Sequence, residues 1–223
     1  MRRIVVTGAN KGIGLALVSA ILEHAEDTYV SLGSRDTGRG DAARAALVAA
    51  HPGWASRIEV LPLDVADDHS VARSRAQLEA RLGGERLYGV VNNAGVGSAI
   101  KSLASMLGVN THGVRRVCEG LGSLVAAGGR VVNVTSASGP TFVAKCSDER
   151  KQVLTNPDVA WSQIEAILDE ALAIAARGGS FAEAGLGDGE PYGFSKACAN
   201  AFTLAFARTH PHLHVNACTP GFI

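Results

Sequence analysis

Short β-branched runs alternate with longer alanine-rich stretches along the whole chain, and this alternation restricts the possible folds more than any other feature. Strand patterns fall at RIVVT near residue 3, TYVSLGS near 28, RIEVLPLD near 57, LYGVVNN near 87, GRVVNVTS near 129 and LHVNACT near 213. Several are apolar on both faces, as strands covered on two sides must be. Helical patterns lie between them: IGLALVSAILEHA, GDAARAALVAAH, SVARSRAQLEARL, and a longer one expected from Leu103 to Ala127. The pattern predicts an α/β fold, a doubly wound parallel sheet of Rossmann type with right-handed crossovers and helices on both faces. At 223 residues, the chain 1–223 reads as a single domain.

The rhythm breaks once, over residues 141–190, where no strand pattern occurs. Asn156-Pro157-Asp158 has the composition of a helix start: a capping asparagine, proline at the first position and an acid in the first turn. Ile164, Ile167, Leu168, Ala171, Leu172 and Ala175 then form an apolar stripe that Gly178-Gly179 stops. A shorter helix is expected between Lys145 and Leu154. The segment reads as a helical insertion before the PYGFSK stretch, and its stripe requires a surface to pack against.

Acidic and basic residues balance at 21 each, with no basic cluster, which argues against nucleic acid and acidic membrane surfaces as partners. Cys118, Cys146, Cys198 and Cys218 are scattered without a CxxC, the usage of reduced thiols. With no signal-peptide core and no apolar run of spanning length, the expectation is a soluble, cytoplasmic protein without membrane association. His210, His212 and His214 alternate, but Pro211 lies among them and no cysteine or acid accompanies them, so they read as a surface loop and no metal is expected.

TGANKGIG, residues 7–14, joins the first strand pattern to the first helix pattern. Gly8, Gly12 and Gly14 allow a tight turn and let backbone approach a pyrophosphate at the helix N-terminus; Asn10, Lys11 and Ile13 complete the candidate loop. The second strand ends in Ser34-Arg35. A small residue followed by arginine leaves room and charge for a 2′-phosphate, where an acid would instead receive a free 2′-hydroxyl. Lys11 offers a second cation, while Asp36 is an acidic counter-signal one position later. The expected cofactor is NADP(H).

Tyr192 and Lys196 lie one helical turn apart and share a helix face. An ammonium there favours the phenolate form of the tyrosine; the competing reading is an ordinary exposed helix pair. Read together, TGANKGIG, NNAG at 92–95, VVNVTS at 131–136, YGFSK at 192–196 and TPG at 219–221 resemble, in order and over essentially the whole chain, the short-chain dehydrogenase/reductase family. The GANKGIG loop, the RD after the second strand, GRVVNV, the NAC–PG ending and the 56 positions from Ser136 to Tyr192 are most similar to the monomeric carbonyl reductases of that family.

The resemblance implies an NADPH-dependent reductase of a small-molecule aldehyde, ketone or quinone. In it Tyr192 is the general acid, Lys196 assists it and holds the nicotinamide ribose, and Ser136 rather than Ser138 binds the substrate oxygen. Asn110 anchors a water that links the lysine to solvent, although a helix asparagine can also bond locally. Asp64 and Val65 meet the adenine, with a helix cap as the alternative for Asp64. Asn92 and Ala94 line the ribose side, with strand bracing as the alternative for Asn92 and Asn93. Pro220, Gly221 and Ile223 hold the carboxamide. The insertion is expected to cover the helix face that relatives use for oligomer contacts, giving a monomer. Two departures accompany the match. The segment from Gly95 to Asn110 is short, and a substrate-covering loop and final strand are expected after the PG turn, where the chain stops at Ile223. The reading of a different class is an NADP-binding protein, or truncated reductase, without turnover.

Overall fold

The computed structural model describes residues 1–97, 99–100 and 102–221. Its elements run β1 (Arg2–Val6), α1 (Gly12–His24), β2 (Thr28–Ser34), α2 (Thr37–Ala50), β3 (Ile58–Pro62), α3 (Asp68–Leu82), β4 (Leu87–Asn92), α4 (Leu103–Asn110), α5 (His112–Leu121), β5 (Val125–Val134), α6 (Ser138–Ala144), α7 (Asp148–Thr155), α8 (Trp161–Arg177), α9 (Pro191–Thr209) and β6 (His214–Cys218). The parallel sheet has the order β3-β2-β1-β4-β5-β6. Val6 of β1 lies opposite Leu32 of β2 and Val91 of β4. The chain winds outward through β2 and β3, then returns to the far side of β1 with β4. The C-terminal ends of β1 and β4 therefore form the switch point at which open α/β sheets bind ligands.

Two compact units are distinguished. The first comprises residues 1–95, 116–132 and 212–214; the second comprises the described residues of 96–115, 133–211 and 215–223. In the first, Val6, Val18, Leu22, Val30, Leu32, Trp54 and Ile58 form a buried cluster joining β1, β2 and β3 to α1. In the second, α9 presents Phe194, Ala197, Ala201, Phe202 and Phe206 to its neighbours, all buried. The α8 helix packs on α9 and α4, with Trp161 edge-on to Phe202 and Arg115 4.4 Å above the Trp161 ring.

Three local expectations are corrected. The stretch read as one helix from Leu103 to Ala127 is two helices broken at Thr111, followed by a strand that already begins at Val125. Alanine-rich LVAAGG has helical propensity, but sheet pairing outweighs it: a Cβ on Gly129 would lie 2.9 Å from the Tyr88 carbonyl oxygen. Asn156 does not start the insertion helix. It ends α7, and its Oδ1 accepts the Asp158 N–H at 2.9 Å in a tight turn, so the next helix starts only at Trp161. An asparagine before proline serves a turn as well as a cap. The shorter helix begins at Asp148 rather than near Lys145.

The apolar stripe itself holds. Ile164, Ile167, Leu168 and Ala171 are buried; in the last turn Ile174 is buried in place of Ala175, and Leu172 is partly covered. Each such aliphatic side chain contributes about 1.5–3 kcal/mol through burial. Leu168→Ala is accordingly expected to destabilise the protein by about 2–5 kcal/mol, read as a lower urea midpoint at unchanged m-value.

Candidate active site

In the first unit, the loop after β1 is braced against the end of β4. The Thr7 Oγ1 accepts the N–H groups of Asn93 at 3.0 Å and Ala94 at 2.9 Å. The Asn93 side chain returns the contact, donating to the carbonyls of Thr7 at 2.9 Å and Gly8 at 3.2 Å. This close approach dictates two glycines. Gly8 has φ +62°, and a Cβ there would lie 2.8 Å from Ala94 Cα; on Gly14 it would lie 2.6 Å from the Gly8 carbonyl oxygen. At Gly12 the space beyond the backbone is open. Lys11 precedes α1 without capping it through its side chain, and the helix has no acid in its first turn. The loop residues Asn10 and Ile13 are part-buried beside the exposed Lys11.

Arg35 is exposed just beyond β2 and makes no ion pair among the described residues. The adjacent Asp36 is spent elsewhere: it caps α2 through the Arg39 N–H at 3.0 Å and pairs with the Arg39 side chain. Asp64 does not cap α3. Its carboxylate accepts the Ala66 N–H at 2.9 Å, while Asp67 is the cap. Val65 is buried beside it. The bracing asparagine is Asn93; Asn92 is buried and donates to the Cys118 sulfur at 3.2 Å.

The second unit contains Asn110, Ser136, Tyr192 and Lys196. Asn110 is fully buried at the end of α4, where its Oδ1 accepts the Val96 N–H and its Nδ2 donates to the Val96 carbonyl, both at 2.9 Å. The same Nδ2 donates to Ser195 Oγ at 3.0 Å, and that hydroxyl donates to the Tyr192 carbonyl at 2.8 Å. Thr111 Oγ1 adds a bond to the Ser195 carbonyl at 2.9 Å. The α4–α5 break is thus fastened to the first turn of α9. Ser195 was not among the residues singled out from the sequence, although it lies inside YGFSK; a serine in a helix interior is the signal that could have marked it.

Ser136 follows β5, and Ser138 opens α6 rather than extending the strand. The Ser136 hydroxyl donates to Ser138 Oγ at 3.2 Å and accepts the Ser138 N–H at the same distance. Tyr192 is half-buried, and Lys196 is only 5% exposed, which removes the reading of an ordinary surface pair. The Lys196 ammonium lies 5.7 Å from the Tyr192 ring centre and donates to the Val134 carbonyl at 2.9 Å. Beyond β6, Pro220 and Gly221 are exposed, and Gly221 has φ +87°. Ile223 lies outside the described residues. His210 stacks on Phe206 at 3.9 Å, and its Nδ1 lies 3.0 Å from the Phe206 carbonyl oxygen.

Residues 2–147 match the family described as short chain dehydrogenase. The chain belongs to the short-chain dehydrogenase family. Pig carbonyl reductase [NADPH] 1 is 29% identical over 235 residues, a match that covers all of this chain and 78% of that protein. The (+)-neomenthol dehydrogenase of Arabidopsis thaliana is 27% identical, over all of this chain and 83% of its own. Among solved structures, menthone neomenthol reductase from Mentha piperita superposes with a TM-score of 0.88 at 27% identity, over 98% of this chain and 89% of the other. Family membership makes the protein an oxidoreductase.

In this short-chain dehydrogenase the lysine of the YxxxK turn is buried, which disfavours its charged form. Burial lowers the Lys196 pKa from 10.5 to about 8, because a desolvated ammonium is disfavoured. Between those values the folded chain binds fewer protons than the unfolded one, so stability rises with pH; below about pH 8 the full cost, on the order of 3 kcal/mol, is present. The stability of the native protein relative to Lys196→Met is therefore expected to improve from pH 8 to 10, measured by urea unfolding. Parallel pH profiles for the two proteins would contradict it.

Proposed function

We propose that the protein is an NADPH-dependent reductase that delivers a hydride to the carbonyl of a small-molecule aldehyde, ketone or quinone, with Tyr192 as general acid. The observation that carries this reading is the buried Lys196 ammonium one turn from a half-buried Tyr192. As the carbonyl becomes an alkoxide, its oxygen requires hydrogen-bond donors and then a proton. Ser136 Oγ and the Tyr192 hydroxyl are the donors in this reading, and Tyr192 gives up its proton. The Lys196 ammonium favours the resulting phenolate and binds the nicotinamide ribose. Asn110 anchors the water through which Lys196 is connected to solvent.

The residues of the first unit fit a phosphorylated dinucleotide. The open space at Gly12, the α1 N-terminus without a side-chain cap or first-turn acid, and the cations Lys11 and Arg35 suit a pyrophosphate and a 2′-phosphate. A bound dihydronicotinamide would supply the hydride. Gly8, Asn10, Ile13 and Gly14 complete the loop that would hold the phosphates. Asp64 and Val65 would lie at the adenine, Asn92 and Ala94 at the ribose, and Pro220, Gly221 and Ile223 at the carboxamide. The names of the pig and plant relatives, NADPH carbonyl reductase and neomenthol dehydrogenase, support the same class of reaction. The proposal extends to a monomer in the cytoplasm. The packing of α8 over α9 and α4 supports the first, and four cysteines without a disulfide support the second.

The test measures NADPH binding by fluorescence and NADPH consumption with a simple quinone or aldehyde on the same preparation. Turnover is expected, with Tyr192→Phe losing about 10²–10⁴-fold in kcat at an unchanged NADPH Kd. Binding without turnover would overturn the reductase reading in favour of a non-catalytic NADP-binding protein. Arg35→Ala is expected to weaken NADPH but not NADH, and light scattering is expected to give a monomer mass at every concentration.

A further inference from the structure

We propose that Glu190 is a positioning residue for Tyr192, acting through the backbone of the first turn of α9. The inference rests on the reading of Tyr192 as general acid. A helix begins with backbone N–H groups that have no partner inside it. In α9 the first position is Pro191, which has no N–H, and the Glu190 side chain takes the next two, while its carbonyl accepts the first bond of the helix itself. Glu190 Oε1 accepts the Tyr192 N–H at 3.0 Å, its Oε2 accepts the Gly193 N–H at 2.5 Å, and its main-chain carbonyl accepts the Phe194 N–H at 3.0 Å. Both carboxylate oxygens are thus used on the tyrosine and its successor.

Glutamate is not among the residues that usually cap helices; serine, threonine, aspartate and asparagine are. A cap serving stability alone has no need of the longer side chain. Its two-oxygen grip, however, fixes two successive peptide planes and so the direction in which Tyr192 leaves the helix. The seat for the carboxylate is built in. A Cβ on Gly193 would lie 2.8 Å from Glu190 Oε2, 2.9 Å from the Ser138 carbonyl oxygen and 3.0 Å from Phe142 Cβ. Only a glycine at 193 leaves room for the grip while α6 lies against α9.

Glu190 is in turn held from α6. Its N–H donates to Asp188 Oδ1 at 3.2 Å, and Asp188 Oδ2 pairs at 2.6 Å with Lys145, the residue that ends α6. At the other end of α6, Ser138 receives the Ser136 hydroxyl. Ser138, Phe142, Lys145, Asp188 and Glu190 line one small pocket of about 120 Å³ together with Thr141. The turn carrying Tyr192 and the turn carrying Ser136 are therefore connected through a single short helix, with Glu190 as the link to the tyrosine.

The experiment compares kcat at saturating NADPH and carbonyl for the wild type, Glu190→Asp, Glu190→Gln and Glu190→Ala, with Tm and NADPH Kd measured for each. Aspartate, a good cap with a shorter reach, is expected to keep Tm and NADPH affinity while kcat falls about tenfold to a hundredfold. Glutamine, which offers one acceptor oxygen in place of two, is expected to lose kcat similarly. Alanine is expected to lose both kcat and Tm. A wild-type kcat in the aspartate and glutamine variants, whatever Tm does, would reduce Glu190 to an ordinary cap and overturn the inference alone. An inactive wild type would overturn the reductase reading and this inference with it.

Discussion

The bond from the Lys196 ammonium to the Val134 carbonyl is the constraint around which the second unit is arranged. A charge taken out of water is expensive unless it is hydrogen-bonded, so the end of β5 and the second turn of α9 cannot drift apart without stranding it. The rest of the arrangement repeats the fastening. Thr135 N–H donates to the Cys218 carbonyl at 2.8 Å, Asn133 Nδ2 donates to Thr203 Oγ1 at 2.8 Å, and Asn110 reaches Ser195. Buried polar groups with good partners fix geometry more than they add stability, which suits the proposed pairing of the Tyr192 phenol with the Lys196 ammonium.

The first unit solves a different problem by the same means. A loop whose backbone is to stay open, as the proposed dinucleotide site requires, cannot be held by side chains packed over it. It is held from behind, by Thr7 and Asn93, while Gly8 and Gly14 let the strand ends come close. Support from behind leaves the α1 N-terminus without a side-chain cap, and an unspent helix dipole is what an anionic group would find there. The insertion serves neither loop nor lysine directly. Its α8 stripe is buried where the helix packs on α9 and α4.

Much of the fold was legible because periodicity reports burial directly: the strand patterns gave six strands, and the spacing from Ile164 to Ala171 gave the buried face of α8. What misled were residues whose local chemistry serves two purposes. Asn156 can cap or turn, and Pro157 suits either; alanines near 126 can sit in a helix or in a strand that a neighbour pairs. At the site, motif residues were visible as a set and bracing by Asn92 and Asn93 was an open alternative, whereas Ser195 and Glu190 were not marked. Their roles consist of bonds to groups distant in sequence or to main chain, which no spacing rule encodes.

The sequence by itself determined the α/β alternation, the glycine loop, the Tyr192–Lys196 turn and the membership of the short-chain dehydrogenase family, because each is a pattern of residue types at fixed local spacing. Tertiary structure alone decided that Lys196 is buried on a β5 carbonyl, that Asn93 rather than Asn92 braces the glycine loop, and that the Glu190 carboxylate takes the N–H groups of Tyr192 and Gly193. The physical reason is that burial and hydrogen-bond partnership are properties of assembled neighbours. A lysine's pKa, unlike its helical register, is shifted only once the protein has removed the water around it.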